Sequence, residues 1–268
     1  MPDRIGLIAG NGRFPILVAE EARKNGIEIV CIAIKGEADR KLKHCVDKIY
    51  WLGAGELQKL FQIFSKEDIS KVVMAGQVKH RTIFRKDINI DNQMQRLLEA
   101  LKDKRTDSLI GGVADYIENA GIKVLDSTMF LSRYLPEKGL LTQNKLDEKV
   151  LKDIEFGKNI AESIAGLDIG QSVVVKDMAC LAVEAIEGTD EAIKRGARYA
   201  GEGIVVVKLS KPKQDMRFDV PTIGPDTIRL LRRLRAACIA IQAKKTIIID
   251  IDKTISLANR YNIGVVAI

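Results

Sequence analysis

The first half of the chain alternates between short apolar runs and longer amphipathic stretches. Short apolar runs predict strands, and apolar positions spaced three or four residues apart predict helices. Predicted strands cover residues 5–9, 27–34, 71–75 and 122–125, and predicted helices cover residues 14–24, 56–64, 92–101 and 108–119. Strands that alternate with helices indicate a parallel sheet with helices on its faces. The first half is therefore predicted to be a Rossmann-like α/β domain.

This periodicity lapses between Arg133 and Asn144, where Pro136 and Gly139 interrupt the pattern. We therefore predict an N-terminal domain over residues 1–132, a linker over 133–144 and a C-terminal catalytic domain over 145–268. In the second domain, predicted helices cover residues 145–164, 190–199, 225–235 and 252–261, and predicted strands cover residues 172–175, 179–184, 204–209, 238–242, 246–249 and 264–268. The fold class is thus two α/β domains.

Composition narrows the class of protein. Apolar residues make up 46% of the 268 residues, which supports packed cores rather than disorder. The apolar runs are far shorter than the roughly 20 residues that span a bilayer. The N-terminal residues also lack the charged, apolar and small-residue order of a signal peptide. We therefore expect a cytoplasmic protein.

The net charge and the spacing of the cysteines and histidines restrict which partners and which catalytic groups can be expected. The net charge is +7, but basic residues are spread along the chain and no aromatic-rich RNA-binding signature accompanies them. We therefore expect no nucleic-acid partner, and an anionic small molecule fits the charge equally well. The four cysteines and two histidines show no spacing typical of a metal or nucleophilic site. Catalysis is expected to rest on carboxylates, lysines, arginines and backbone amides.

A glycine-containing turn, Gly10-Asn11-Gly12, connects the first predicted strand to the first predicted helix. Glycines there permit close backbone approach, and the following helix N-terminus favours an anion. Pro15 replaces the third glycine of the dinucleotide fingerprint, and Lys35 stands where an acidic residue would hold a ribose. The turn therefore predicts a phosphate-binding loop and disfavours NAD. The alternative is an ordinary tight turn.

Two further loops contain candidate substrate-binding residues. Gly76 and Lys79 follow the third predicted strand, at the rim of the sheet where open α/β domains bind ligands. The alternative there is a solvated basic loop. Thr189 precedes a predicted helix, where it either contacts substrate or caps the helix.

The densest polar stretch, KPKQDMRFDVPTIG, runs from Lys211 to Gly224 and connects a predicted strand to a predicted helix. Apolar residues alternate within it, which indicates that one face is fixed against the protein. Asp215, Arg217 and Asp219 occupy the other face. Two carboxylates and a guanidinium suit phosphoryl chemistry, since the oxygens bind a hard cation and the guanidinium binds phosphate. The alternative is a surface salt-bridge cluster.

Three motifs together resemble the UDP-2,3-diacylglucosamine pyrophosphatases of the lipid A pathway, of the two-domain type rather than the metallophosphoesterase type. They are GLIAGNGRFP from Gly6 to Pro15, EAIEGTDEAIKRG from Glu184 to Gly196, and the stretch from Lys211 to Gly224. The resemblance spans nearly the whole chain, and the last motif is its specific part. It implies hydrolysis of UDP-2,3-diacylglucosamine to UMP and 2,3-diacylglucosamine 1-phosphate, assisted by Mg²⁺. The family's essential aspartate maps to Asp219.

The resemblance and the residues together define the expected site. We predict that Asp219 holds metal or water, that Asp215 is a second carboxylate, and that Arg217 is catalytic. The predicted substrate-binding residues are Gly10, Asn11, Gly12, Gly76, Lys79, Thr189, Lys211, Lys213 and Gln214. A lipid substrate further suggests contact with the inner face of the membrane, and a homodimer is left open. The alternatives are a nucleotide-binding oxidoreductase and a non-catalytic nucleotide- or RNA-binding module.

Overall fold

The computed structural model describes residues 3–78, 89–101, 103 and 106–268, and for residues 106 and 107 it describes the backbone alone. The described residues form two compact units. The first contains Met1–Leu131 together with Asp215–Asp219, and the second contains Ser132–Gln214 and Val220–Ile268. The short segment Asp215–Asp219 thus belongs to the first unit although the residues on both sides of it belong to the second.

A five-stranded parallel sheet forms the centre of the first unit. Its strands are β1 (Arg4–Ala9), β2 (Glu28–Ile34), β3 (Lys48–Leu52), β4 (Lys71–Ala75) and β5 (Lys123–Val124), arranged in the order β3-β2-β1-β4-β5. Its helices are α1 (Phe14–Lys24), α2 (Leu57–Lys66), α3 (Asn92–Ala100) and α4 (Thr106–Asn119). The prediction of a Rossmann-like domain is confirmed.

Local sequence signals explain where several of these elements begin. Pro15 lies in the first turn of α1, where its missing N–H costs no helical hydrogen bond. Asp91 caps α3 by accepting a hydrogen bond from the Met94 amide at 2.9 Å. The edge strand β3 was not predicted. Its residues are mostly only half-buried because β3 lies at the edge of the sheet, whereas β1 and β2 are mostly buried.

The second unit contains a six-stranded mixed sheet in the order β6-β13-β11-β9-β7-β8. These strands are β6 (Gly139–Leu140), β7 (Ser172–Lys176), β8 (Ala179–Val183), β9 (Val205–Lys208), β11 (Cys238–Ile241) and β13 (Gly264–Ala267), and a separate two-stranded sheet pairs β10 (Thr222–Ile223) with β12 (Ile247–Ile248). The strands β9, β11 and β13 are parallel, whereas β6, β7 and β8 run antiparallel to their neighbours.

Helices cover both faces of this sheet. They are α5 (Glu148–Gly166), α6 (Thr189–Ala200), α7 (Pro225–Arg233) and α8 (Ile251–Arg260). Alternate residues of β9 enter different cores, because successive side chains of a strand point to opposite faces. Val206 lies in one buried cluster, and Val205 and Val207 lie in the other. The second unit is therefore also an α/β domain, as predicted.

The segment expected to be a linker contains secondary structure. Ser132–Tyr134 form a 3-10 helix, and β6 pairs with β13 in the second unit. The division between the units falls between Leu131 and Ser132. A two-residue strand such as β6 carries too few residues to show periodicity in the sequence. Among the described helices, none is long and apolar enough to cross a membrane.

Candidate functional site

The first unit has a topological switch point between β1 and β4. From β1 the chain continues to β2 and β3 on one side of the sheet, and it then crosses to β4 and β5 on the other side. In open parallel sheets a crevice forms at the carboxyl ends of the strands where the order reverses, and ligands bind there. The two loops at this crevice begin with Gly10, after β1, and Gly76, after β4.

The structure brings these two predicted loops together. The Asn11 amide donates to the Gln77 carbonyl oxygen at 2.7 Å, and the Gln77 amide donates to the Asn11 carbonyl oxygen at 3.2 Å. A Cβ on Gly10 would lie 2.5 Å from the Gln77 carbonyl oxygen, and one on Gly76 would lie 2.6 Å from the Asn11 carbonyl oxygen. Glycine is therefore required at Gly10 and Gly76 because the two backbones touch each other.

Gly12 differs from these two glycines in its surroundings. Its φ of +97° favours glycine, yet a Cβ there would meet no described atom within 4 Å. The backbone at Gly12 thus faces open space immediately before α1. The N-cap residue of α1, Arg13, makes no side-chain capping hydrogen bond, and its guanidinium instead pairs with Glu20 at 2.8 Å. A helix N-terminus without a side-chain cap suits an anion.

An acidic residue that sequence analysis missed lies beside this loop. Glu37 follows β2, is 6% exposed, and accepts a hydrogen bond from the Asn11 side-chain amide at 3.3 Å. The sequence offered Lys35 at the end of β2, and Glu37 stands only two residues further along. A carboxylate two residues beyond the position at which a Rossmann domain carries its acidic residue therefore contacts the glycine loop.

The segment Asp215–Asp219 joins the same unit through two anchors. The Met216 carbonyl oxygen accepts hydrogen bonds from the backbone amide and the hydroxyl of Ser127, at 3.0 and 2.8 Å. Phe218 packs against the apolar cluster of the first unit, and a Cβ on Gly111 would lie 3.5 Å from its ring. The Phe218 side chain thus packs on the first unit as the alternation predicted, whereas Met216 is attached through its backbone carbonyl oxygen.

One of these anchors lies just beyond the carboxyl end of β5. Ser127 follows β5 closely, and β5 pairs in parallel with β4, which pairs in parallel with β1. Neighbouring strands are about 4.8 Å apart, so β5 lies on the order of 10 Å from β1. The structure therefore places the motif carboxylates and the candidate phosphate-binding loop in the same unit.

Arg217 is surrounded by carboxylates. Its Nε and Nη2 donate to Asp215 at distances from 2.7 to 3.1 Å. Its Nη1 donates to Glu118 Oε2 at 2.7 Å, and its Nη2 also donates to Asp115 Oδ1 at 3.2 Å. Glu118 and Asp115 both belong to α4. The hydrogen bonds that Arg217 donates to Asp215, together with the Coulomb attraction between them, raise the pKa of Arg217 further above its usual range, and they lower the pKa of Asp215.

Asp219 ends a compact turn that begins at Asp215. The Asp219 amide donates to the Asp215 carbonyl oxygen at 2.9 Å, and the Asp215 carboxylate accepts from the Arg217 amide at 3.0 Å. Asp219 itself is half-buried. Asp215 thus shapes the turn, and Asp219 stands at its end.

The remaining residues of the motif lie in the second unit. The Lys211 amide donates to Gln214 Oε1 at 2.7 Å, and Lys211 Nζ pairs with Asp168 at 2.8 Å. Lys213 is exposed. The structure therefore gives Gln214 a local role in the turn that precedes Asp215, and the substrate-binding roles of these three residues stay predictions.

Thr189 lies in a partly buried polar cluster of the second unit that includes two residues missed by sequence analysis. The side chain of Lys208, which is 8% exposed at the carboxyl end of β9, donates to Thr189 Oγ1 at 2.8 Å. The Thr189 hydroxyl in turn donates to Glu184 Oε1 at 2.9 Å. The structure shows no side-chain cap on α6 from its N-cap residue Gly188. Thr189, the first residue of α6, thus accepts a hydrogen bond from the buried ammonium group of Lys208.

Two further expectations concern residues outside these clusters. Lys79 lies outside the described residues, so its substrate-binding role stays a prediction. Burial raises the pKa of Cys31 and of Cys238 to about 12, which keeps both thiols neutral near pH 7. The structure therefore gives these two cysteines the character of core residues.

Comparisons with known proteins match both halves of the chain. The family model described as the LpxI N-terminal domain matches residues 4–134, and the one described as the LpxI C-terminal domain matches residues 137–266. The chain is also similar to the UDP-2,3-diacylglucosamine pyrophosphatase LpxI of Caulobacter vibrioides. The two are 29% identical over 276 residues, which cover 99% of this chain and 97% of that protein.

Among solved structures, the chain shows a distant similarity to larger proteins. Phosphoribosylglycinamide synthetase from Anaerococcus prevotii is 11% identical with a TM-score of 0.29, over 72% of this chain and 35% of that chain. The biotin carboxylase subunit of pyruvate carboxylase is 14% identical with a TM-score of 0.29, over 76% of this chain and 34% of that chain. This chain thus spans about a third of their length. Because the two LpxI domain models together account for residues 4–134 and 137–266, the chain belongs to the LpxI family.

Proposed function

We propose that this protein hydrolyses the pyrophosphate of UDP-2,3-diacylglucosamine to UMP and 2,3-diacylglucosamine 1-phosphate. The observation that carries the proposal is the full-length similarity to a protein named for this activity, over 99% of the chain. It is supported by the glycine loop and Asp219 belonging to the same unit. A phosphate-binding loop beside a carboxylate is a suitable arrangement for phosphoryl chemistry.

In the proposed reaction, water supplies the attacking oxygen. This oxygen bonds to one phosphorus of the pyrophosphate, the bond from that phosphorus to the bridging oxygen breaks, and the bridging oxygen leaves with the other phosphoryl group. The Asp219 carboxylate accepts a hydrogen bond from the water and orients it. Such positioning acts mainly on the transition state, so Asp219 contributes to kcat more than to binding.

We also propose that Mg²⁺ assists the reaction and that Asp219 is its protein ligand. Mg²⁺ prefers oxygen ligands and is often held by one or two carboxylates together with substrate phosphates and water. Across the described ranges, no group of three or more His, Cys, Asp and Glu side chains is arranged to hold a metal, so a single-carboxylate site completed by substrate fits better. Asp115, Glu118 and Asp215 already surround a cation, which is the guanidinium of Arg217. When bound, Mg²⁺ would neutralise charge on the phosphate oxygens.

The substrate-binding proposals follow the chemistry of each loop. Gly12 and the N-terminus of α1 are proposed to bind a phosphate through backbone N–H groups, and Gly10, Asn11 and Gly76 are proposed to shape that loop. Lys79, Thr189, Lys211, Lys213 and Gln214 are proposed to bind other polar groups of the substrate. We add Lys208 to this set, since its buried ammonium group contacts Thr189 at 2.8 Å.

Partners and location are proposed from the substrate. A diacylated sugar resides in a lipid surface, and we therefore propose a cytoplasmic protein that contacts the inner face of the membrane transiently. No nucleic-acid partner is proposed. The oligomeric state, including a homodimer, is accessible to light scattering of the purified protein.

The decisive assay measures UMP release by the purified full chain. UDP-2,3-diacylglucosamine is compared with the unacylated UDP-sugar at equal concentration, with products separated by chromatography. We expect UMP and the diacylated sugar phosphate in equal amounts, and far slower turnover of the unacylated sugar. Absence of UMP from the diacylated substrate in the presence of Mg²⁺ would contradict the proposed function.

A further inference from the structure

The guanidinium of Arg217 is already engaged by protein groups. All three of its nitrogen atoms donate hydrogen bonds to carboxylates. The acceptors are Asp215 within the same turn and Asp115 and Glu118 on α4. A guanidinium offers five N–H donors in a planar fork, and a bidentate phosphate contact needs two of them on one edge. In Arg217 those edges face carboxylates instead.

The charge around Arg217 also opposes a phosphate. One positive charge lies among three carboxylates, so the cluster carries a net negative charge near neutral pH. A phosphate that approached the guanidinium would have to displace Glu118 or Asp115 and then remain close to both. Like charges at such distances repel. The surroundings therefore disfavour the phosphate-binding role expected from the sequence.

We propose that Arg217 is a positioning residue that anchors the Asp215–Asp219 segment to α4 and thereby fixes the position of Asp219 on the first unit. This inference rests on the proposed function of Asp219. Arg217 joins the segment to α4 directly, and Asp215 couples Arg217 to Asp219 because the Asp219 amide donates to the Asp215 carbonyl oxygen. Arg217 thus acts on the position of Asp219 through Asp215, without contact to the substrate.

Anchoring is needed because both neighbours of this segment along the chain belong to the other unit. Gln214 and Val220 lie in the second unit, whereas residues 215–219 lie in the first. The Ser127–Met216 hydrogen bonds and the packing of Phe218 fix the segment at two points, and the Arg217 contacts fix it at a third. Each further point of attachment restricts the rotation of a short turn more closely. An error of about 1 Å in a catalytic group can cost on the order of a hundredfold in rate.

The test is a set of variants that removes the anchor from either side. Arg217→Ala removes the guanidinium, and the pair Asp115→Asn with Glu118→Gln removes the charges that hold it from α4. All are measured in the full chain with UDP-2,3-diacylglucosamine. We expect kcat to fall about tenfold or more in both, with KM within about twofold of the wild-type value. Combining all three changes should be no worse than Arg217→Ala alone, because residues of one network do not act additively.

Hydrogen exchange without substrate provides a readout that does not depend on turnover. The amides of residues 216–219 should exchange at least several times faster in Arg217→Ala and in the Asn/Gln pair than in the wild type. Unchanged exchange in both would overturn the positioning role even if the proposed reaction is wrong. Conversely, suppose that exchange is faster in both variants but that the wild-type protein never releases UMP. The anchoring role of Arg217 would then be supported, and only the proposed function would be contradicted.

The kinetic result that overturns the proposal is equally specific. If Arg217 binds phosphate, Arg217→Ala should raise KM strongly, while the Asn/Gln pair should keep wild-type kcat and KM. Arg217→Lys retains the charge without the fork, and we expect it to resemble Arg217→Ala in exchange rate. Arg133→Ala removes the exposed Arg133–Asp252 ion pair in the second unit and is the control, with kcat and exchange unchanged. Melting temperatures verify that each variant folds, and the Asn/Gln pair alters only α4 surface positions.

Discussion

Ser127 holds Met216 by two hydrogen bonds to a single carbonyl oxygen. Its backbone amide donates at 3.0 Å and its hydroxyl donates at 2.8 Å, and Ser127 is fully buried. The two residues are 89 positions apart in the chain. This contact attaches a segment from the second half of the sequence to the carboxyl end of β5, and it lies three residues before Asp219.

Ser127→Ala should therefore weaken the attachment without removing it. The hydroxyl bond is lost while the amide bond remains, and we expect a loss of about 1 kcal/mol in the free energy of unfolding. We also expect kcat to fall more than KM rises, because Asp219 is less well placed. Urea denaturation and UMP release measure the two effects. Ser163→Ala removes a comparable hydroxyl-to-carbonyl bond on α5 and should leave kcat unchanged.

Asp219→Ala and Asp219→Asn should separate chemistry from binding. Both remove the charge that orients water or metal, and such roles are typically worth about 10²- to 10⁴-fold in rate. We expect kcat to fall at least about a hundredfold with retained affinity for the intact UDP-lipid. Asp215→Asn is the matched comparison from the same turn and should have a milder effect. Near-normal kcat in Asp219→Ala would refute the catalytic assignment.

Metal dependence should follow the oxygen ligands of the proposed site. Exhaustive treatment with EDTA should stop UMP release, and Mg²⁺ or Mn²⁺ should restore it, since both accept carboxylate and phosphate oxygens. Zn²⁺ should restore little activity. The Mg²⁺ concentration required for half-maximal rate should rise in Asp219→Asn and stay close to the wild-type value in Asp215→Asn. Full activity after chelation would exclude the metal-assisted mechanism.

Gly12→Ala should reveal whether the glycine loop binds substrate. The positive φ makes any side chain cost roughly 1–2 kcal/mol in stability. Gly26 has φ of +73° and is equally open, so Gly26→Ala is a control that carries the same strain away from the loop. We expect both variants to lose similar stability, whereas only Gly12→Ala should raise KM. Equal KM values in the two variants would indicate that Gly12 serves the turn alone.

Glu67→Gln should make the melting temperature of the protein less dependent on pH in the acid range. Hydrogen bonds from Lys48 and Tyr50 lower the pKa of Glu67, whose side chain is 4% exposed. A carboxylate whose pKa is lowered by folding stabilises the folded protein at pH values above its unfolded-state pKa of about 4.3. This stabilisation is lost as the pH falls through the lower folded-state pKa. Melting temperatures between pH 7 and pH 3 should therefore decline less steeply in Glu67→Gln. Glu99→Gln, on the exposed surface of α3, should retain the wild-type decline.

The sequence by itself determined the elements that depend on local periodicity and on glycine and proline chemistry. The apolar runs of β1, β2 and β4 are continuous because these strands are buried on both faces, and such runs are visible without a structure. Gly10, Gly12 and Gly76 were recognisable because turns at the ends of strands require them. The motif from Lys211 to Gly224 was recognisable because its residues are adjacent in the chain.

Tertiary structure decided which residues the motif contacts. Glu118 and Asp115 lie 99 and 102 positions from Arg217, and an acidic residue on an exposed helix face carries no sequence signal of a partner so far away. The same holds for Ser127 and for Lys208, whose roles depend on burial beside Met216 and Thr189. The alternation by itself does not rank Asp215, Arg217 and Asp219, because all three are charged and lie on one face, and the family resemblance alone singled out Asp219. The fold adds that α4 supplies carboxylates that engage Arg217, and that Arg217 in turn engages Asp215.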